Sequence, residues 1–233
     1  MDRVALRHSL LAGLSHLEQQ GVSRPDVASV ELLLDYIGLL VKWNATYNLT
    51  AVRSPEKILS RHILDCLILN RWLDVRTHTG TSQPGEETVD VLDVGSGAGL
   101  PVLPLAITRP DLQFVSVESN GKKARFQQQA VIELSISNVK IVQSRVQDIN
   151  VNARWITSRA FAAPADFLVL VEPLACNQTQ FLLMLGHADK MPDPLPLPFV
   201  LSELVEVDIP ETESSRHIAV CRCSCLNRLH LRT

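Results

Sequence analysis

The chain has no surplus of basic residues: 22 Lys and Arg against 25 Asp and Glu leave a formal net charge of -3 over 233 residues. Coating nucleic acid without regard to sequence takes many cations to neutralise phosphates, so that class is excluded and any nucleic-acid contact must be local. Long apolar runs are missing too. No stretch reaches the length of a membrane span, and the N-terminus, with Asp2, Arg3, Arg7 and His8, lacks the apolar core of a secretion signal. The five cysteines form no paired framework, which excludes a disulfide scaffold and points to free thiols in a reducing compartment. The expected location is therefore cytoplasmic. Aromatics are scarce at 5%, yet hydrophobic residues reach 46% and charged ones only 20%. That is the balance of a folded chain with one substantial core rather than of a disordered one.

Two regions differ in periodicity. Val4, Leu10, Leu11, Leu14 and Leu17 recur at helical intervals up to Gly21. Ser23 with Asp26 reads as a capping box that places Pro25 in the first turn of a second helix, whose stripe is Val27, Val30, Leu34, Ile37, Leu40 and Val41. Ser54-Pro55-Glu56 opens a third helix, running to about Trp72. Residues 1–74 are thus an N-terminal helical appendage, and 75–88, rich in Thr, Ser, Gly and Pro, a linker. From residue 89 to 233 short strand-like runs appear at Val89–Val94, Phe114–Val117, Val139–Val142, Trp155–Thr157 and Phe181–Met184, the first three alternating with helical or turn segments. This pattern predicts an α/β, Rossmann-like domain with a mostly parallel sheet flanked by helices. Leu204–Ile209 and Ile218–Cys223 predict a closing hairpin, reached through an extended connection carrying Pro192, Pro194, Pro196 and Pro198.

The strongest local signal is Asp93-Val94-Gly95-Ser96-Gly97-Ala98-Gly99, a glycine turn between the first strand and a helix predicted to begin near Leu100. Glycines there let the backbone approach a ligand. A dinucleotide fingerprint would put its third glycine at position 100, where this chain has Leu100. Glu118, ending the second strand, is placed to accept ribose hydroxyls from any nucleoside cofactor. A plain tight turn explains the glycines alone; Asp93 and Glu118 favour a nucleoside site.

Further phrases run in order along nearly the whole chain. They are Lys42-Trp43-Asn44 with Tyr47-Asn48-Leu49-Thr50, Arg61-His62-Ile63-Leu64-Asp65, Gly95 to Pro101, and Gly121-Lys122-Lys123 with Arg125-Phe126. Gln143-Ser144-Arg145-Val146, Ser158-Arg159-Ala160-Phe161 and Arg216-His217 complete the set. With these, the chain resembles the glucose-inhibited division protein B family, the bacterial guanine-N7 methyltransferases of 16S ribosomal RNA. The resemblance implies a class I, seven-stranded methyltransferase fold using S-adenosyl-L-methionine, with contacts at Gly95, Leu100, Val146, Gln147 and Arg159, which join Asp93, Gly97, Gly99 and Glu118 of the turn and strand end in the cofactor set. It also implies 16S ribosomal RNA or the small ribosomal subunit as partner, with no metal and no membrane; a monomer is expected. Two departures stand out. Gln147 replaces a commonly acidic residue, and Leu185 stands where the family has lysine before Gly186, which implies weaker contacts there.

Guanine N7 carries an exposed lone pair, so no proton has to be removed and no catalytic residue in the strict sense is expected; His62, Asp65 and Arg159 are candidates for positioning. His62 and Asp65, three apart on a helix, are expected to pair. Cys221, Cys223 and Cys225 alternate on a strand, but tetrahedral zinc needs a fourth ligand and other spacing. Cys66 and Phe161 read as core, and Trp43 with Tyr47 as a staple between appendage and main domain. Lys122, Lys123 and Arg125 form a local basic patch for RNA phosphates, extended by Arg53 and Arg61. A solvated basic face is the bland alternative. The rival functions are an NAD(P)-binding oxidoreductase, a small-molecule methyltransferase, and a weakly active or inactive paralogue that binds RNA or cofactor.

Overall fold

The computed structural model describes residues 2–73, 88–159, 162–176, 178–212 and 215–224. Most of the expected linker, together with Phe161 and Cys225, lies outside them; Thr88 already belongs to the first strand.

Three helical segments lead. Helix α1 (Arg3–Glu18) is capped by Asp2, whose carboxylate accepts from Val4 and Ala5 N–H. Helix α2 (Val27–Tyr47) starts at Asp26, which accepts from Ser29 N–H, so the cap is Asp26 itself and Pro25 precedes the helix instead of entering its first turn. Ser54 caps α3 (Pro55–Ile58), with Pro at the first position where its missing N–H costs nothing. That helix continues as a π-helical stretch, Leu59–Leu64, then as α4 (Asp65–Leu67) and a 3-10 turn, Ile68–Arg71.

The rest alternates strand and helix: β1 (Thr88–Val94), α5 (Val102–Thr108), β2 (Phe114–Val117), α6 (Gly121–Glu133), β3 (Val139–Val142), β4 (Asn152–Arg159), α7 (Pro164–Val171), β5 (Gln180–Leu185), β6 (Phe199–Val207) and β7 (Arg216–Cys223). They build a seven-stranded sheet in the order β3-β2-β1-β4-β5-β7-β6. The first five strands are parallel; β7 runs antiparallel between β5 and β6. The expected Rossmann-like architecture and closing hairpin are therefore present.

Strand periodicity divides the core between the two faces of the sheet. Leu182, Ile218 and Val220 turn to the face that also buries Leu14, Leu34 and Ile37 of the leading helices. Their neighbours Phe181, Leu183, Ala219 and Cys221 turn to the face covered by Phe167 and Leu168 of α7. The leading helices thus share a continuous apolar core with the sheet. Trp43 stacks 5.2 Å from Tyr47 and 5.6 Å from Phe126 of α6, tying α2 to that helix as expected.

Candidate active site

Parallel strands bring their carboxyl ends to one rim, and between β1 and β4 the order of strands reverses. A crevice opens where connections leave in opposite directions, which is the usual ligand position in such sheets. The glycine turn follows β1, Glu118 follows β2, Val146 and Gln147 follow β3, and Arg159 ends β4. Four adjacent strand ends therefore bring every residue of the proposed cofactor set to this rim. Leu100 and Val146 are buried there, and Gln147 is exposed.

Gly95, Gly97 and Gly99 take φ values of 73°, 57° and 79°, a region that side chains strongly disfavour. A Cβ on Gly99 would lie 2.5 Å from Leu103 Cδ1, so this glycine serves close packing against α5. On Gly97 the same atom would meet nothing nearer than Lys123 Nζ at 3.9 Å. That face is open, and a ligand rather than protein is free to approach it.

Side chains clamp the turn. Gly97 N–H donates to Glu118 Oε2 at 2.7 Å, and Glu118 Oε1 accepts from Asn120 N–H at 2.7 Å. Gln127 of α6 donates to the Gly97 carbonyl at 2.8 Å. Its Oε1 lies 2.5 Å from the Ser116 hydroxyl, which lies 2.7 Å from Ser96 Oγ. From α2, the Tyr36 hydroxyl donates to the Ala98 carbonyl at 2.5 Å. The sequence gives little warning of Tyr36 and Gln127. The one available signal is a polar tip placed on an otherwise apolar helix face, since both side chains are fully buried.

Asp93 is buried at the end of β1, where Thr157 of β4 donates to its Oδ1 at 3.0 Å. Burial pushes its carboxyl from 3.8 up to about 6, against the Ser96 and Thr157 hydroxyls, which favour the charged form. Its Oδ2 is buried with no hydrogen-bond partner among the described residues.

A second cluster sits beside β4. Arg159 Nε lies 3.1 Å from Asp65 Oδ2, and Arg216 Nε of β7 lies 3.3 Å from Asp65 Oδ1. One terminal Arg159 nitrogen donates to the Arg61 carbonyl at 2.7 Å and lies 2.9 Å from His62 Nδ1. The same Nδ1 lies 2.9 Å from the Arg61 carbonyl, and Nε2 lies 2.7 Å from Thr50 Oγ1, so the ring is held at both nitrogens. Burial first, then the Arg159 charge, hold His62 down at about 4. His62 and Asp65 are thus joined through Arg159 and not to each other. The wider π-helical turn that contains His62 takes residues three apart off a common face.

The basic residues separate. Lys122 and Arg125 are exposed on α6, whereas Lys123 is half-buried with its ammonium near the glycine turn. Both lysine N–H groups are capped by Asn120. Arg53 is exposed and donates to Asn48 Oδ1 at 3.1 Å; Arg61 is half-buried beside the rim, held by Arg159 through its carbonyl. Burial raises the thiols of Cys66 and Cys221, the latter to about 12, so neither is a ready nucleophile. Leu185 is buried in the core at the end of β5. The described residues hold no group of three or more His, Cys, Asp or Glu arranged for a metal.

The residues present fit S-adenosylmethionine. The open face of Gly97 gives a nucleoside close access to backbone, and Glu118 has lone pairs left for hydroxyls. Among solved structures, TrmN from Thermus thermophilus superposes with a TM-score of 0.50 over 71% of this chain and 53% of its own, at 12% identity. That likeness concerns the fold alone. In sequence, the ribosomal RNA small subunit methyltransferase G of Nitrosomonas eutropha is 39% identical over 197 residues, spanning 82% of this chain and 86% of the relative. The protein of the same name from Shewanella baltica is 39% identical over 189 residues, 80% of this chain and 85% of its own. The family model described as GidB, rRNA small subunit methyltransferase G, matches residues 29–192. That span takes in most of α2 with Tyr36, the glycine turn and the Asp65–Arg159 pair, and by it the chain belongs to the rRNA small subunit methyltransferase G family.

Proposed function

We propose that this chain transfers a methyl group from S-adenosylmethionine to N7 of a guanine in 16S ribosomal RNA. The observation that carries the reading is the glycine turn at the strand-order reversal, open at Gly97 and flanked by Glu118, in a chain of this family. Glu118 and the turn from Gly95 to Leu100 would hold the nucleoside and amino-acid ends of the cofactor, with Val146 and Gln147 beside the base and Arg159 at the neighbouring strand end. When bound, the cofactor supplies an electrophilic methyl group on a sulfonium sulfur. Guanine N7 attacks with its own lone pair, so the chain needs no general base. Its buried His62, held neutral by burial and by Arg159, is not poised as one.

What the chain must supply is alignment, which contributes on the order of 7–11 kcal/mol when the reacting atoms are held close and in line. Asp93 and Glu118 make the crevice electronegative, which suits positive charge passing through it. Lys122, Arg125 and Arg53 would meet phosphates, giving a local basic face to a chain whose net charge is -3. An oxidoreductase finds no support: Leu100 occupies the place of the third dinucleotide glycine. The test is transfer of labelled methyl from S-adenosylmethionine to small-subunit particles from cells lacking the protein, followed by mapping of N7-methylguanine. Label at one guanine of the 16S strand is the expected result. Cofactor binding without transfer identifies the inactive-paralogue reading instead.

A further inference from the structure

We infer that Tyr36, a residue of the N-terminal helices, is a positioning residue of the methyl-donor site, acting through the Ala98 carbonyl. The inference rests on the methyl-transfer reading. Between β1 and α5 the bonds to β2 end at Gly95 and Ser96, whose N–H groups reach the Val117 carbonyl at 2.8 and 3.4 Å, and three of the five residues from Gly95 to Gly99 have positive φ. Its shape is set by what grips its peptide groups. Glu118 and Gln127 grip both sides of Gly97. The next carbonyl, of buried Ala98, is gripped by Tyr36.

Ala98 precedes a glycine, and a peptide group before glycine turns over at little steric cost because glycine accepts either sign of φ. Turning the 98–99 peptide would break the bond from Gly99 N–H to the Ser96 carbonyl, 2.8 Å, and re-aim Gly99 and Leu100. The hydroxyl of Tyr36 opposes that motion. Its side chain has no freedom to follow: the ring is fully buried in the middle of α2, 6.2 Å from Phe126 of α6. Burial also holds the phenol well above its usual range, so it stays a donor. Among the described residues the other grips on the turn come from β2, α6 and the segment between them. Tyr36 makes the leading helices part of the donor site.

The test compares wild type, Tyr36→Phe and Ser29→Ala, by calorimetric binding of S-adenosylhomocysteine, thermal unfolding, and KM and kcat for the donor. Ser29 is a matched control. It lies on the same helix and donates to a backbone carbonyl, that of Ile107 at 3.0 Å, away from the turn. Both variants are expected to lose thermal stability. Only Y36F is expected to weaken product binding and raise the donor KM, by roughly 5- to 30-fold, the scale of one buried hydrogen bond, with kcat at saturating donor changed less. Equal affinity in Y36F and wild type, or equal loss in S29A and Y36F, overturns the inference alone. A wild-type chain that binds neither donor nor product overturns the methyl-transfer reading and the inference with it. Should Y36F fail to fold, wild type carrying carbon-13 at the phenol carbon of its two tyrosines decides. Product binding is expected to shift the Tyr36 signal and leave that of exposed Tyr47 in place; an unmoved Tyr36 signal overturns the inference.

Discussion

Arg159 Nε lies 3.1 Å from Asp65 Oδ2, tying the carboxyl end of β4 to the third helical segment. The Asp65 side chain is only 6% exposed and also meets Arg216 at 3.3 Å. Burial outweighs both arginines and raises its carboxyl above the ordinary range. Asp65→Asn keeps the shape and removes the charge. Breaking a buried pair of this kind costs about 3–5 kcal/mol; with both arginines about one-fifth exposed, a loss of roughly 2–4 kcal/mol is expected. Urea unfolding measures it, and a change under about 0.5 kcal/mol would mean that the cluster contributes no stability.

His62 should be found as the neutral ring. Nitrogen-15 spectra of the imidazole are expected to show a neutral ring at pH 6 and titration near 4, because burial and Arg159 disfavour the cation. A ring that titrates near its ordinary 6.5 would contradict the Arg159 contact.

Asp93 and His62 make opposing contributions to stability as pH changes. The Asp93 carboxyl is raised in the folded state from 3.8 to about 6, so its contribution is full below about 3.8 and is lost as pH rises through about 6. The His62 ring is lowered from 6.5 to about 4, so its contribution is full above about 6.5 and is lost as pH falls through about 4. The windows overlap, and within them the two contributions oppose each other. Asp93→Asn is expected to expose the histidine limb, with stability rising by roughly 2–3 kcal/mol from about pH 4 to 6.5. Urea midpoints at three pH values check this; a flat variant would refute the assignment.

These expectations were legible in the sequence to different depths. The bounds of β2 and β3 match the runs Phe114–Val117 and Val139–Val142: β2 is buried on both faces, and in edge strand β3 the β-branched Val139, Ile141 and Val142 carry the signal around exposed Lys140. β4 extends past Trp155–Thr157 to Asn152 and Arg159 because pairing with β1 and β5, not propensity, sustains its polar ends. The glycine turn and Glu118 could be read from local spacing. Tyr36 on Ala98, Gln127 on Gly97 and Arg216 on Asp65 could not, since each spans many residues and depends on which helix faces which strand. Nor does side-chain spacing announce the π-helical turn that separates His62 from Asp65.

Two glycines of the turn should fail in different ways. Gly97→Ala meets open space and suffers mainly from its φ of 57°, a cost of roughly 1–2 kcal/mol. It should fold and lose donor affinity, because its new methyl group points into the crevice. Gly99→Ala adds to a φ of 79° a collision with buried Leu103, so a loss of about 2–5 kcal/mol is expected. Unfolding and product calorimetry on both variants separate the effects. Should G97A bind the product as tightly as wild type, the open face is not where the ligand sits.

The same separation of roles applies to the basic residues of α6. Lys122 and Arg125 are exposed, while Lys123 leans toward the turn with its ammonium 3.9 Å from where a Cβ on Gly97 would sit. Phosphate contacts release counterions, so each one lost lowers the slope of log affinity against log salt by about 1. Reversing Lys122 and Arg125 to Glu, with Lys123 left in place, is expected to weaken RNA binding, lower that slope by about 2 and leave product affinity unchanged. Binding measured on small-subunit RNA at three salt concentrations checks the slope, and calorimetry checks the product. If the slope stays as it is in wild type, the face is solvated and makes no phosphate contact.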